Sequence, residues 1–355
     1  MSSFTVQAQT ITVKPHPDAD AIELAHIDGM DYVSIVRKDE NLQTGDVVLY
    51  IPEQALIPES ILRELNLWDA ERGVGKLAGS KGNRVKAVRL RGVLSQGLIY
   101  KPKNMSLVLE KDYAEELQIT KYMPAIPMNM SGKVNTYENI RSYTNIENHK
   151  KFPDIFSTKE MVVATEKIHG TNVVYQFDDN GLHVSSKGLS SSGFELDFNE
   201  DNVYWRVALR HGIAAKLQVL RDKHYPGMTI MLYGEIFGVQ DLKYGLPKGQ
   251  LDFRAFDIMI TDGHDYTYLN YQDFITATSL ISLPTVPVLY YGPFDEKHLT
   301  KLSQGMETIS GKKLHIREGI VVRPVEERRT MTLGRVILKM INPEYLLRKN
   351  GMELE

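Results

Sequence analysis

The chain contains no cysteine, which excludes disulfide bridges, thiolate-held zinc and a cysteine nucleophile; any metal must be held by oxygen or imidazole ligands. No run of about 18 apolar residues occurs. The start, Met-Ser-Ser-Phe-Thr-Val, has neither the basic opening nor the apolar stretch of a secretion signal. These absences predict no membrane association and a cytoplasmic location. No internal repeat or low-complexity tract is present. Acidic residues are missing from one long window: Gly73 to Leu109 holds no Asp or Glu but eight basic residues, Lys76, Lys81, Arg84, Lys86, Arg89, Arg91, Lys101 and Lys103. The window carries +8 and, against a net charge of −3, leaves −11 for the rest. Such segregation predicts a local anionic partner, not a generally basic coat.

With 355 residues, 42% apolar and 25% charged, the chain is long enough for two globular cores. Residues 5–13, 31–36, 46–51, 83–90 and 97–100 read as short strands separated by Gly29, Gly45, Gly82 and Gly92, a pattern that predicts a small barrel. In residues 84–91 basic and apolar side chains roughly alternate, which predicts cations on an outer face and apolar residues in the core. An OB-type barrel uses such a face for oligonucleotides. Residues 58–68 read as a helix with Leu62 and Leu65 inward. Two prolines and a glycine between Tyr122 and Gly132 break both periodicities and mark a linker. Beyond it strands (172–177, 182–186, 229–236, 253–260, 319–323, 335–341) mix with helices (203–223, 271–280, 296–306), which predicts an α+β domain.

The densest chemistry lies in Lys167-Ile168-His169-Gly170-Thr171-Asn172, a short turn between two apolar runs. It reads as a covalent nucleotidyl-transfer site. A lysine amine attacking a nucleotide phosphate must be neutral, yet at its reference pKa of about 10.4 only about one in a few thousand is neutral at pH 7. Partial burial, nearby cations or a divalent metal must help. A lysine nucleophile therefore predicts carboxylates for a metal, cations for phosphate and an aromatic for the base, and all follow downstream.

From Tyr137 to Tyr345, with the approach segment 143–149, the chain resembles the covalent nucleotidyltransferase superfamily, and within it the RNA ligases whose lysine motif reads Lys-x-His-Gly-Thr-Asn. The resemblance implies that Lys167 becomes adenylylated through Nζ and that Glu166, His169 and Asn172 help bind ATP. Ser186-Lys187-Gly188 occupies the second motif, whose cation, arginine in many relatives, contacts the terminal ribose or phosphate. Leu232-Tyr233-Gly234-Glu235 resembles the third, whose glutamate binds ribose, and Ala255-Phe256-Asp257-Ile258 the next, whose Phe stacks on the purine. Glu318-Gly319-Ile320-Val321-Val322-Arg323 matches the fourth, with a glutamate near the metal and a cation near phosphate. Val336-Ile337-Leu338-Lys339 matches the fifth, whose lysine contacts the α-phosphate. Ile341 stands where many relatives have a second lysine, and Arg323 or a basic residue of the first domain is the expected substitute.

The N-terminal half, through His16-Pro17-Asp18-Ala19-Asp20, residues 45–52, 82–86 and 94–98, resembles the OB module preceding the catalytic domain in one group of nick-sealing RNA ligases. His16, beside Pro17, is expected to be a loop histidine. The expected architecture is α+β: an OB-type β-barrel (1–120), a linker (121–136) and an ATP-grasp-like nucleotidyltransferase domain of antiparallel sheets and helices (137–355). The implied activity is ATP-dependent sealing of 3′-OH/5′-phosphate nicks by a monomer, with Mg²⁺ or Mn²⁺ held by Glu235 and Glu318 and a nicked RNA-containing duplex held by Lys81, Arg84, Lys86, Arg89 and Arg91. The alternatives are a capping-type guanylyltransferase or DNA ligase, disfavoured by His169 and by the 13 residues after Asn342, and a non-catalytic OB nucleic-acid-binding protein.

Overall fold

The computed structural model describes residues 4–123, 130 and 132–348. Most of the expected linker motif, residues 124–129 and 131, lies outside the described residues. The chain divides into two compact units. One takes in the described residues of Ser2–Pro124, Glu147–Ile155 and Pro343–Glu355; the other takes in those of Ala125–Ile146 and Phe156–Asn342. Two later segments, 147–155 and 343–348, thus cluster with the N-terminal region.

The N-terminal unit is built on β1 (Gln7–Pro15), β2 (Ile22–Ile27), β3 (Val33–Arg37), β4 (Val47–Ile51) and β5 (Leu98–Tyr100), all antiparallel in the order β5-β4-β1-β2-β3. The two edges approach each other. Gln96 N donates to Val33 O at 2.9 Å, Ser34 Oγ donates to Gln96 O at 2.7 Å, and Ile35 N donates to Ser95 Oγ at 2.9 Å. These bonds leave a near-closed barrel of the OB type, with Ile11, Ala25, Ile27, Val36, Val48 and Ile99 in its core. A second core gathers Leu49, Ile51, Ile61, Leu62, Val85 and Tyr113, with Leu65 packed against it. The helix expected over 58–68 is shorter, Glu59–Glu64, because Pro58 sits at its N-cap and Asn66 turns left-handed at φ 56°.

The expected strand 83–90 is corrected. Only Val88–Leu90 is a strand, paired with Val93–Ser95 in a two-stranded hairpin, whereas residue 84 makes only isolated bridges to Leu56 and Ala78. Val85 and Ala87 are buried as the alternation predicts, but Val88 and Leu90 are exposed alongside Arg89. No third strand covers that hairpin in the described sheets, so period-2 patterning has no inner face to serve there.

The second unit holds two sheets. In one, β6 (Met161–Lys167) runs between β11 (Val288–Pro293) and β12 (Gly319–Pro324), and β13 (Leu338–Ile341) pairs with β12. In the other, β7 (Thr171–Asp178), β8 (Gly181–Ser186), β9 (Thr229–Phe237), β10 (Asp252–Thr261) and Tyr266–Tyr268 follow the order β8-β7-β9-β10 and then the last strand. The hairpin β7–β8 turns at the expected Asp179-Asn180-Gly181, where Gly181 takes φ 104°. One face of this sheet, through Val173, Tyr175, Ile230 and Leu232, packs on Val207, Leu217, Leu220, Phe274 and Ala277 of the helices. The other, through Val174, Met231, Tyr233 and Met259, packs on Ile140, Tyr143 and Ile337. Burial on both faces explains why these strands read as unbroken apolar runs. The single helix expected over 203–223 is two, Val203–His211 and Ile213–His224; Gly212 at φ 61° ends the first with left-handed backbone that a helix interior cannot hold.

Candidate active site

Lys167 is the last residue of β6, and it owes its setting to register. Its Cα faces Gly319 on β12, which faces Ile341 on β13; one step back, Thr165 faces Val321, which faces Lys339. Paired residues share a sheet face, so Lys167, Ile341 and Lys339 all lie on one face, with Lys339 about 7 Å further along the strands. Glu166 lies on the other. Gly319 is small because a Cβ there would stand 2.2 Å from Met340 O.

Lys167 Nζ donates to Glu318 Oε1. The second oxygen of Glu318 lies 3.5 Å from His169 Nδ1, and His169 Nε2 lies 2.9 Å from Asp241 Oδ1. Lysine, glutamate, histidine and aspartate thus form one chain of charged and polar contacts. Burial opposes ionisation of Glu318, but Lys167 and His169 outweigh it and hold the carboxyl below its usual range. The turn carrying His169 is fixed by the loop after β9: His169 N donates to Tyr244 Oη at 2.7 Å, and Gln240 Nε2 donates to Gly170 O. Gly170 is required by crowding, since a Cβ there would lie 2.2 Å from Ile236 O and 2.9 Å from Glu235 Cγ.

Asn172 on β7 faces Glu235 on β9, which faces Arg254 on β10. Burial, reinforced by the charge of Glu318 and opposed by those of Lys167 and Lys187, pushes Glu235 up to about 8. The charge of Glu318 disfavours a second anion at buried Glu235, and a divalent cation would let both ionise, so these residues fit one. Lys187 opens the short helix Lys187–Ser190, capped by Ser186 Oγ, which accepts from Leu189 N at 3.3 Å. Two buried acceptors of the site have no donor among the described residues: Asn172 Oδ1 and Glu166 Oε1. The other oxygen of Glu166 accepts from Thr308 N at 2.8 Å and Thr308 Oγ1 at 2.5 Å, and burial raises this carboxyl despite them. Phe256 is the extra residue where the β9–β10 register shifts, so a bulge sets its direction; its half-buried ring meets Tyr143 edge-on at 4.8 Å.

Arg323 does not join this group. It faces Val163, four residues and about 13 Å along the strand from the Lys167 row. Its guanidinium is buried, donating to Asp257 Oδ1 at 2.9 Å and Leu269 O at 3.2 Å. Asp257 also accepts from Tyr143 Oη at 2.8 Å and pairs with Arg335 at 2.7 Å. Burial disfavours the Asp257 anion, yet Arg335 and Arg323 hold the carboxyl below its ordinary value. The arginine expected at phosphate is therefore part of a core ion cluster, and it does not stand in for the missing lysine at Ile341.

The basic residues of the N-terminal unit are also partly committed. Arg84 stacks over Tyr122 at 4.3 Å, Lys86 Nζ donates to Arg348 O, and Arg89 pairs with Glu344 at 2.7 Å. Lys81 and Arg91 are exposed. His16 is a loop residue as expected, its Nδ1 accepting from Asp18 N at 3.1 Å. Sequence reading missed Asp241, Tyr244 and Thr308; for the first two the signal available was the glycine-punctuated stretch after β9, whose polar residues closely follow the glutamate motif.

A family model described as RNA ligase matches residues 160–341, and one described as an OB-fold domain matches residues 4–102. No curated protein matches. Among solved structures the chain is similar to the Naegleria gruberi RNA ligase. The apo form of one variant shares 26% identity at a TM-score of 0.78, covering 97% of this chain and 97% of that one. A second variant, with ATP and Mn, shares 25% at 0.80, covering 98% and 100%. The ligase with pyrophosphate shares 25% at 0.79, covering 97% and 98%.

Proposed function

Since the chain belongs to the RNA ligase family, we propose that it is an ATP-dependent enzyme that seals 3′-OH/5′-phosphate nicks in RNA-containing duplexes through a lysyl-AMP intermediate. The observation that carries this is the Lys167–Glu318–His169 contact chain beside Glu235. Lys167 Nζ attacks the α-phosphorus of ATP; a nitrogen–phosphorus bond forms and the bond to the bridging oxygen breaks, releasing pyrophosphate. Glu318, hydrogen-bonded to Nζ, orients the amine before attack. The AMP then passes to the 5′-phosphate end, and the 3′-OH displaces it to form the phosphodiester. Mg²⁺ or Mn²⁺ held by Glu235 and Glu318 would neutralise triphosphate charge.

Glu166 Oε1 and Asn172 Oδ1 suit the amino and hydroxyl donors of a nucleotide. Lys187 and Lys339 supply cations on the phosphate side, and Phe256 an apolar ring for the base. Lys81 and Arg91 are exposed cations of the N-terminal unit that suit a duplex. The family assignment sets aside the capping-enzyme and DNA-ligase alternatives. Incubation with α-labelled ATP and either metal, followed by denaturing electrophoresis, tests the first step. Label on the parent and none on Lys167→Ala supports it; no label on folded protein free of bound AMP overturns it and leaves a binding protein.

A further inference from the structure

Two loops beside the site carry lysines that the chemistry above does not use. One leaves β9; the other enters Glu318 ahead of β12. Residues 242–251 contain no Asp or Glu but expose Lys243 and Lys248, and residues 308–317 contain none but expose Lys312 and Lys313 beside half-buried His315. The loops touch. The Tyr244 ring meets His315 edge-on at 4.8 Å, and a Cβ built on Gly245 would lie 3.4 Å from Leu314 Cδ1 and 3.6 Å from Ser310 Cβ.

Both loops are held in place. Buried Glu307 accepts from Ser310 N at 2.9 Å, Leu314 N at 2.9 Å and Ser310 Oγ, which closes residues 307–314 into a compact turn. The first loop is tied to the lysine turn by Tyr244 and Asp241 through His169 and by Gln240 through Gly170. Buried Glu307 is committed to its own turn and the partly exposed Asp241 is paired to His169, while the four lysines are exposed. Lys243 spends one donor on Gln240 O at 2.6 Å and retains others.

We propose that these two loops form one seat for the phosphodiester backbone of the RNA strand being joined. The seat rests on the RNA-ligase reading and adds a second anion-binding surface, on the catalytic unit itself. Lysine ammonium groups serve as point charges for phosphate, and pre-ordered loops lose little conformational entropy on binding. The ties to His169 and Gly170 give strand contact a direct structural link to the turn that carries the attacking lysine.

The test compares the parent with the Lys243→Ala/Lys248→Ala/Lys312→Ala/Lys313→Ala variant, with Lys159→Ala/Lys223→Ala as a charge control at exposed positions elsewhere on the same unit. Two readouts are taken on the full chain: AMP attachment from labelled ATP, which needs no RNA, and binding of a nicked RNA duplex across a salt series. The expected result is unchanged AMP attachment, binding weaker by about tenfold or more near physiological salt, and a log–log salt slope shallower by roughly 0.7–0.9 for each phosphate that the variant no longer neutralises. The control should keep the parental slope. A parental slope in the quadruple variant overturns the seat. Loss of AMP attachment with a raised ATP requirement also overturns it, and assigns the loops to the nucleotide. A parent that neither takes label nor binds nicked RNA overturns the ligase reading and the seat together.

Discussion

Replacing Glu235 with glutamine exchanges an ionisable carboxyl for a neutral amide of nearly the same shape. Burial, with the help of the Glu318 charge, raises the carboxyl from its ordinary 4.5 to about 8 in the folded chain. Unfolding returns it to the ordinary value. Between those two values the folded state keeps a proton that the unfolded state has released, so the group's contribution to stability declines as pH rises from 4.5 towards 8. Each pH unit inside the window is worth about 1.4 kcal/mol, and from about pH 6 to about pH 9 the decline integrates to about 3 kcal/mol. Glutamine carries no such dependence. Glu235→Gln should therefore gain about 3 kcal/mol on the parent across that interval, read as the change in their stability difference from denaturant unfolding without divalent metal. A difference constant to within about 0.5 kcal/mol refutes the reasoning, because Glu235 would then be ionised throughout.

Lys167→Ala should take no AMP yet still join a nick already adenylylated at its 5′ end, measured by gel; failure on the second substrate points to damage beyond the nucleophile. Asp257→Ala leaves Arg323 and Arg335 without their shared buried partner and should cost about 3–5 kcal/mol by denaturant unfolding, whereas a loss under about 1 kcal/mol contradicts the cluster. The depressed Asp257 carboxyl gives the opposite pH trend to Glu235: its contribution is present above about pH 4 and is lost as acid protonates the folded state. Asp241→Asn, at a side chain 39% exposed, should leave thermal stability nearly unchanged but slow AMP attachment by about tenfold through a misplaced His169. Equal rates would remove Asp241 from the site. Gly170→Ala should reduce AMP attachment by about a hundredfold, since its methyl group must displace Glu235 or the strand carrying Ile236.

What the sequence reveals of this site follows from locality. Lys167, Glu235, Glu318 and Lys339 sit at or beside strands whose apolar runs are visible in the chain, so their elements can be read directly. Arg323 is misplaced by its motif because a motif gives order but not position along the sheet: its register opposite Val163 sets it four residues from the Lys167 row, where it joins a core ion cluster. Asp241 and Tyr244 escape notice because they reach His169 from more than 70 residues away, across a loop with no period. The basic stretch 84–91 alternates in sequence, yet alternation fixes burial only where a sheet supplies an inner face, and Val88 and Leu90 lie on an uncovered hairpin.

The tracing of the chain through its two units has a consequence for biogenesis. The N-terminal unit recruits residues 147–155 and 343–348, with Lys150 O accepting from Asp31 N at 2.7 Å and Glu344 paired with Arg89. A ribosome emits that unit's first strand early and its helix Pro343–Leu347 only after the entire catalytic sheet pair has been made. The part begun first is thus finished last. A chain cut between Met123 and Gly132 keeps the first strands on one piece and leaves their late partners on the other, so the two pieces should be recovered more readily by co-expression than separately.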